Sequence, residues 1–489
     1  MKKRWLAVLL ALIFVLALFA GCGNDKGTSS GTTSGSTAGS SDSSGSAPAA
    51  VSSRDANGQV AVGYQKDMQK DVIKIRAVRP ITGDSALFEQ TAFGPQYKMW
   101  EDEINQSGGL YVRSLDRKVK VEIVATDDTS DMDKTRQLLE QILANEKPDL
   151  LLAPEGTARL FAATPIVQKY GYLMVAAEGG AKDLAVEFET MRKGGETVGV
   201  FSVLSYSETQ VPALIKLFEE LGVTSVYCAY INDLHGIEYW NYTKQRLEEI
   251  GIDVKGSELV DPADPNGAVI INNAMASGAQ AFLGYMYPPQ AIPVTMTAAA
   301  LGYMPDMYLL GPGLCYDFFS VFAFDDFSQD SLQGIMGWGG WNEKSDPFGD
   351  GRAKAYSEHF REYWRAKGLF WRNEDGSPSS APPDQMVFQD WWGHICYYSV
   401  MQVLQQAVEN AGELDDNGVL VQSTLIDYIA NNTFDTVMHP QLKFTNNILL
   451  DDMYLGNVGQ WQNGIFEVID NDARRTAPPI FPFPGWWQG

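Results

Sequence analysis

The sequence of 489 residues predicts an α/β protein with two Rossmann-like lobes behind a disordered Ser/Gly linker. From residue 71 onward, short apolar runs alternate with stretches of helical period, as in parallel βαβ units. Residues 71–489 are too many for a single core, so two lobes are expected. Residues 23–53 are instead rich in Ser, Gly and Thr, which predicts a disordered linker.

The first residues have the organisation of an export signal. Basic residues 2–4 precede an apolar run, 5–20, that is too short for a bilayer core of about 30 Å at about 1.5 Å per residue. Residues 1–21 are therefore predicted to be a signal peptide. The position of Cys22 resembles the lipobox of bacterial lipoproteins, whose cysteine is lipidated, although Phe19 replaces the usual smaller aliphatic residue. The alternative is an ordinary secretory signal with a cysteine there by chance.

Composition limits the partners and the cross-links of the chain. A formal net charge of −24 repels phosphate backbones, so a nucleic-acid partner is not expected. No second apolar run reaches a spanning length, and residues 22–70 are interpreted as the lipidated cysteine and a flexible linker. Cys228, Cys315 and Cys396 are far apart and form no disulfide framework, although one pair among them stays open.

The elements of the predicted body follow from the hydrophobic periodicity. In the first series, alternating apolar residues or short buried runs predict strands at residues 74–80, 117–128, 149–154 and 172–177. Apolar stripes that end at Gly or Pro predict helices at residues 91–109, 133–149 and 157–171. The second series predicts strands at residues 225–231, 253–260, 280–286 and 306–312. It predicts helices at residues 208–222, 237–251, 267–278 and 291–301. The remainder predicts helices at residues 353–367, 386–411 and 419–430, and short strands from residues 441 and 464.

Six strand ends share an unusual composition. Glycines, aromatic residues and hydroxyls concentrate in "ITGDSALF", "APEGT", "AAEGG", "NDLHG", "YMYPP" and "GPGLCYD". Ligands of open parallel sheets bind beyond the carboxyl ends of the strands, and a glycine before a helix exposes amides to an anion. Each turn alone is an ordinary βα connection. The six together predict a ligand cleft between the lobes.

Several segments of the predicted body carry a resemblance to a known family. In order, they are "PITGDSALF", "EINQSGG", "KVEIVATDD", "KPDLLLAPEGTARLFAATPIVQKYG", "AFLGYMYPPQAI", "ALGY", "VLQQAVENAGELDD", "FDTVMHPQLKF" and the closing "PIFPFPGW". In this order and spacing they resemble the Leu/Ile/Val-binding, or type I periplasmic-binding, family of ABC importers. The resemblance covers nearly the whole predicted body. It implies a type I periplasmic-binding-protein fold with three hinge crossovers, which we place near residues 193–200, 334–338 and 455–460. It assigns residues 71–197 and 335–455 to lobe 1, and residues 198–334 and 456–489 to lobe 2.

The resemblance also implies roles for residues of the strand ends. In that family a hydroxyl and backbone amides hold the carboxylate of the ligand, at positions that match Gly156 and Thr157. Ala177 and Gly179 match positions that accept the amino group of the ligand. Phe88 and Tyr287 match aromatic covers, and His235 stands where many members have Tyr. Tyr285 and Tyr316 are further candidates on these turns.

One departure concerns the charge of the ligand. Branched-chain amino acid binders have a Glu that neutralises the ligand ammonium where this chain has Gly313. An unpaired buried ammonium is costly. Either Glu155 or Glu178 replaces that Glu, or the ligand carries no ammonium. Solvated carboxylates at the rim of the cleft are the alternative interpretation of these two residues.

These observations predict a lipid-tethered solute receptor on the extracytoplasmic face of a bacterial membrane, at the cell surface or in the periplasm. Its expected partners are a small polar ligand and an ABC permease. A ligand sensor for a signalling receptor and a secreted hydrolase on this scaffold are the alternatives. No catalytic His, metal set or cofactor motif is recognised, because the four histidines are dispersed and the carboxylates of residues 127–133 lack an EF-hand pattern. We interpret Trp391 and Trp392 as packing residues, whereas Trp338, near a hinge, is a candidate to line the cleft.

Overall fold

The computed structural model describes residues 65–86, 89–311, 332–369, 391–449, 457–470 and 474–486. Within these ranges the chain forms two sheets with helices packed against them, which confirms the predicted α/β class. The predicted signal peptide, Cys22 and most of the linker lie outside the described residues. No helix of the described ranges is long and apolar enough to cross a membrane.

Strands and helices alternate through the first half of the body, as the periodicity predicts. The strands are β1 Val72–Arg79, β2 Leu110–Val112, β3 Arg117–Asp127, β4 Leu150–Leu152, β5 Met174–Ala176 and β6 Val200–Ser202. The helices are α1 Gly94–Gln106, α2 Met132–Gln141, α3 Thr157–Tyr170 and α4 Lys182–Lys193. Short π-helical turns, Glu89–Phe93 and Ile142–Glu146, precede α1 and follow α2.

The second half continues the alternation and then becomes mainly helical. Its strands are β7 Ser225–Ile231, β8 Asp253–Val260, β9 Ala281–Tyr285, β10 Met307–Leu310, β11 Met336–Gly340, β12 Phe444–Thr445, β13 Ile448–Leu449, β14 Asn457–Gln462 and β15 Ile465–Val468. Its helices are α5 Ser207–Leu221, α6 Leu234–Glu249, α7 Gly267–Ser277, α8 Pro288–Leu301, α9 Arg352–Ala366, α10 Trp392–Ala411 and α11 Gln422–Asn431.

Each sheet is parallel at its centre. The first has the order β12-β13-β6-β5-β4-β1-β3-β2, and the second has the order β15-β14-β11-β10-β9-β7-β8. In the first sheet Ile75 lies beside both Ile123 and Leu150. Every residue of β4, β5, β9 and β10 is buried, as expected for parallel strands covered on both faces.

The chain passes between the sheets after β6, after β11 and between β13 and β14. The residue boundaries that we assigned to the lobes and crossovers stay a prediction. Two strands near those boundaries pair in the sheet of the other lobe: Val200–Ser202 in the first sheet and Met336–Gly340 in the second. Both are short, so their sequences give little sign of which sheet they join.

Buried thiols and an unforeseen helix add two details. Cys228 and Cys396 are both free and buried, and Cys315 lies outside the described residues.

The sequence analysis placed no helix at α4. This helix buries only Leu184 and Phe188, four residues apart, so its apolar stripe is too narrow for the periodicity to indicate it.

The segment before β1 is fastened to the amino ends of the strands of the first sheet. Gln65 donates to the Leu414 carbonyl and accepts from the Leu414 amide, at 2.6 and 2.9 Å. Lys70 Nζ lies 2.7 Å from the buried Asp149 carboxylate, directly before β4. Asp149 also accepts the amides of Lys74 and Leu420, at 2.8 and 3.1 Å. The end of the predicted linker is therefore attached on the side away from the carboxyl ends of these strands.

Candidate functional site

A cavity lies beyond the carboxyl ends of strands from both sheets, and the space inside it that is open to the centre of a water-sized sphere is about 60 Å³. A single water needs about 10–15 Å³ of such space, so the cavity is several times larger than a site for one water. Most of its lining residues follow β4, β5, β6, β7 and β9, which is where parallel sheets bind ligands. They are Phe93, Glu155, Gly156, Thr157, Ala177, Glu178, Gly179, Leu204, Gln210, His235, Tyr239, Tyr287, Trp338, Trp391 and Gly393.

The structure brings most of the predicted site residues to this one cavity. The lining includes Glu155, Gly156, Thr157, Ala177, Glu178, Gly179, His235 and Tyr287. Tyr285 does not line it, because its side chain packs in the core and its hydroxyl pairs with Thr243 at 2.8 Å. Phe88, Gly313 and Tyr316 lie outside the described residues. Trp338 lines the cavity, as its predicted place near a hinge suggested.

Several lining residues were missed because they lie one turn beyond the strand ends. Tyr239 follows His235 at i+4 on α6, and this helical spacing was the available signal. Phe93 and Gln210 lie inside predicted helices, where nothing marked them. The interpretation of Trp391 as a packing residue is incomplete. Its ring is buried and donates Nε1–H to the Trp338 carbonyl at 3.1 Å, and it also lines the cavity.

A fully buried arginine lies behind the first-sheet wall of the cavity. The Arg79 guanidinium, at the end of β1, donates to Glu89 Oε2 at 2.6 and 2.9 Å and to Glu178 Oε1 at 2.8 Å. It also donates to the Ala153 carbonyl at 2.9 Å and lies 5.5 Å from the centre of the Phe93 ring. The sequence analysis did not single out Arg79. Its carboxylate partners are 10 and 99 residues away.

Glu178 connects this arginine to the turn before α3. Its Oε2 accepts the Gly156 amide at 3.1 Å, the amide that the resemblance assigned to a ligand carboxylate. Gly156 has a φ of 80°, a left-handed conformation that favours glycine, and an added Cβ would meet no atom within 4 Å. The Gly179 carbonyl, assigned to the ligand amino group, accepts Ser202 Oγ at 3.1 Å. Glu178, on the turn after β5, is therefore hydrogen-bonded to the turn after β4.

A second arginine holds the other cavity carboxylate. Arg159 Nη1 lies 2.7 Å from Glu155 Oε2, and Arg159 Nε lies 3.8 Å from Asp128 Oδ2. Asp128 is buried and accepts the Ser130 amide and the Thr135 hydroxyl, at 2.8 and 2.7 Å. Glu155 is therefore a paired, buried carboxylate and not a solvated rim residue.

Carboxyls outnumber guanidiniums in this cluster. Among the described residues, this cluster has four carboxyl groups, those of Glu89, Asp128, Glu155 and Glu178. It has two guanidinium groups, those of Arg79 and Arg159. Burial raises the pKa of Glu178 to about 8, with Arg79 opposing the shift and Glu155 adding to it. Burial also raises the pKa of Glu155. Near neutral pH Glu178 is therefore largely protonated.

The opposite wall is aromatic and uncharged. The ring of His235 lies between Tyr239 and Tyr287, with ring centroids 4.3 and 5.5 Å away. Burial lowers the pKa of His235 to about 3, so its imidazole is neutral at pH 7. Asp233 on the same side of the cavity and Thr157 on the other side both lie close enough to Tyr287 to influence the pKa of its hydroxyl.

Contacts between the two sides hold the cavity closed at its edge. The Lys182 amide, at the start of α4, donates to Glu238 Oε2 at 2.5 Å, and Lys182 Nζ pairs with Glu208. Helix α3 packs against α6. Elements of the first sheet thus contact elements of the second sheet around the cavity.

The raised pKa of Glu178 predicts how stability depends on pH. The folded protein binds this proton more tightly than the unfolded chain, so stability falls as the pH rises from about 4.5 to about 8. Glu178→Gln removes this contribution. We expect the melting temperature of the variant to fall less between pH 5 and pH 8 than that of the wild type, by a few degrees. Thermal melts across this range measure the difference. Parallel curves for the two proteins would contradict the assignment.

Comparisons with known proteins agree on the fold. The sequence model of the family described as periplasmic binding protein matches residues 72–464. A search of curated proteins finds no match. Many solved structures match the chain, and two of them illustrate the range of ligands that such proteins bind.

The first is a solute-binding protein of an ABC transporter from Rhodopseudomonas palustris BisB5 in complex with 3,4-dihydroxybenzoic acid. It has 13% identity and a TM-score of 0.61, and the match covers 82% of this chain and 97% of that chain. The second is a leucine-binding protein from Thermotoga maritima, with 18% identity and a TM-score of 0.61, covering 82% and 99%. At these identities the likeness concerns the fold, which confirms the predicted type I architecture.

Proposed function

The chain belongs to the periplasmic binding protein family, and from this premise we propose that it is the solute-binding lipoprotein of an ABC importer. It takes up a small ligand with a positively charged group between its two lobes and delivers it to a membrane permease. The observation that carries the choice of ligand is the excess of buried carboxyls, among them Glu155 and Glu178, on one cavity wall.

A cationic ligand group fits this wall on electrostatic grounds. Two guanidiniums serve four carboxyls, so an entering ammonium has a carboxylate available once Glu178 gives up its proton. The ammonium then pairs with the Glu178 carboxylate, whose negative charge would otherwise be costly to bury. An amino acid is the simplest ligand of this kind, and the leucine-binding relative is a precedent. The residue at position 313 is then not needed for charge neutralisation.

A purely anionic aromatic acid fits less well. Relatives from R. palustris are described in complex with hydroxybenzoates. In this chain the Gly156 amide and Arg79 both already serve Glu178. An incoming carboxylate would compete with Glu178 for them and add a further negative charge. Glu155 and Glu178 therefore disfavour that class of ligand.

Anchoring and delivery extend the proposal beyond the cavity. The signal peptide of residues 1–21, Cys22 and the linker to residue 70 support a lipid tether on the extracytoplasmic face. The tether keeps the receptor near a permease in the same membrane. In the alternative, a sensor presents the closed form to a signalling receptor. Loss of ligand uptake on deletion of the gene supports transport, whereas unchanged uptake supports the sensor.

The cation proposal predicts a matched difference between ligands. The test compares L-leucine and other α-amino acids with deaminated analogues such as 4-methylpentanoate. We expect the amino acid, which carries the ammonium group, to bind and the analogue not to bind. Glu178→Gln should weaken that binding by about ten- to a hundredfold, because a hydrogen bond between charged groups is lost. Isothermal titration calorimetry in buffers of different ionisation enthalpy should also show proton release at pH 7 that disappears in the variant.

The control is the same Glu→Gln change at a position away from the cavity. Glu140 is a partly exposed carboxylate that pairs with Lys169 and does not line the cavity, so Glu140→Gln should bind like the wild type. A deaminated analogue that binds as well as its amino acid would overturn the cation proposal. A result of this kind would favour the carboxylate class of ligand.

A further inference from the structure

Two polar atoms on the aromatic wall of the cavity have no hydrogen-bond partner among the residues that the structure describes. They are Nε1 of Trp338 and Nε2 of His235, and both are buried. The side chains are 2% and 7% exposed, respectively, and both line the cavity. A buried polar atom without a partner has lost its hydrogen bond to water and gained none in return, so such atoms generally have a partner in the functional state.

The neighbouring polar groups are already engaged. The Trp338 ring packs against Tyr239 and Tyr285, with centroids 6.2 and 6.4 Å away. The Tyr285 hydroxyl pairs with Thr243 at 2.8 Å, and Gln210 Nε2 donates to the Ser205 carbonyl at 3.0 Å. No protein group among the described residues is therefore placed to satisfy the indole N–H of Trp338.

We propose that the ligand presents an uncharged polar group with a hydrogen-bond acceptor to the indole N–H of Trp338, with His235 as its second polar contact. The inference rests on the proposed function and adds the chemistry of the ligand's other end. An indole N–H only donates, so the ligand must supply an oxygen or nitrogen that accepts. His235 is neutral and has one ring nitrogen to offer, so it suits a hydroxyl or a carboxamide.

A charged or purely aliphatic group fits this wall less well. The described residues that line it are His235, Tyr239, Tyr287 and Trp338, none of which carries a charge at pH 7. A second ligand charge would lack a partner there. An isobutyl group of leucine size would leave the indole N–H unsatisfied. Trp338 and His235 are therefore residues that determine specificity for a polar side group.

Isosteric amino acid pairs test this inference. L-asparagine and L-leucine have similar shape, as do L-threonine and L-valine, and in each pair one member is polar. We expect calorimetry to show tighter binding of the polar member. Trp338→Phe keeps an aromatic ring and removes the donor, so it should weaken binding of the polar member about tenfold more than binding of the apolar member. His235→Phe should reduce the same preference.

Trp364→Phe is the matched control, because Trp364 is a buried indole on α9 whose Nε1 is also unsatisfied but which does not line the cavity. It should leave the preference intact. Equal or tighter binding of the apolar members, or a preference unchanged in Trp338→Phe, overturns the inference and leaves the proposed function standing. If Trp338→Phe does not fold, His235→Phe decides by the same criterion. Binding of no ammonium-bearing compound at all contradicts the proposed function, and this inference falls with it.

Discussion

Replacing Arg79 with methionine should lower the free energy of unfolding by about 3–5 kcal/mol at pH 8, because it leaves buried carboxylates without their cation. Arg79 is completely buried and donates to both Glu89 and Glu178. Methionine keeps much of the volume and removes the charge and the donors. At pH 5 the loss should be smaller, because Glu178, whose pKa burial raises to about 8, is then protonated and needs no cation. Urea unfolding at the two pH values measures the difference.

A neighbouring arginine on the same strand provides the control. Arg76 pairs with Glu122 and Glu146, both of which are about half exposed. Because solvent screens such pairs, Arg76→Met should cost no more than about 1 kcal/mol. The double variant with Arg79→Met and Glu178→Gln should be less destabilised than the two single changes added together. A loss from Arg79→Met equal to that from Arg76→Met would contradict the role assigned to the buried cluster.

Replacing Gly180 with alanine should have the second-largest effect, about 3 kcal/mol of stability together with weakened ligand binding. An added Cβ at Gly180 would lie 2.0 Å from the Ser205 carbonyl oxygen, a backbone atom that cannot rotate away. The turns after β5 and β6 must then separate. Glu178, Gly179 and Leu204, which line the cavity, are on these two turns. Chemical denaturation and calorimetry with an amino acid ligand measure the two effects.

Gly194→Ala is the control for this change. Gly194 is exposed, has an ordinary φ of −73°, and its added Cβ would come no closer than 3.2 Å to the nearest atom. Its replacement should change stability by no more than about 0.5 kcal/mol and leave binding unaffected. Wild-type stability and affinity in Gly180→Ala would show that the two turns can move apart freely.

The sequence predicted the position of the site better than its chemistry. Glu155, Thr157 and Tyr287 were identified because parallel strands end at one edge, a rule that needs only the order of the elements. Arg79 was not identified because its importance depends on Glu178, 99 residues away, and only the folded chain brings them together. Trp391 was misjudged in part, since one ring both packs and lines a cavity.

The fold shows the same division between local and distant information. Long elements such as β3 and α5 have clear periodicity and were predicted close to their observed bounds. Strands of two or three residues, such as β6 and β13, have almost no pattern of their own. Their place in a sheet is decided by tertiary pairing, here of Ile448 with Ser202.

The attachment of residues 65–70 also determines where mechanical load enters the protein. Tension along the linker passes into the first sheet through the Gln65–Leu414 hydrogen bonds and the Lys70–Asp149 ion pair. These points lie at the amino ends of the strands, and the cavity lies at their carboxyl ends. The second sheet and the connections between the sheets are outside this path of force. If the chain is anchored as we propose, a pull on the anchor strains the amino ends of the strands of the first sheet and does not separate the two sides of the cavity.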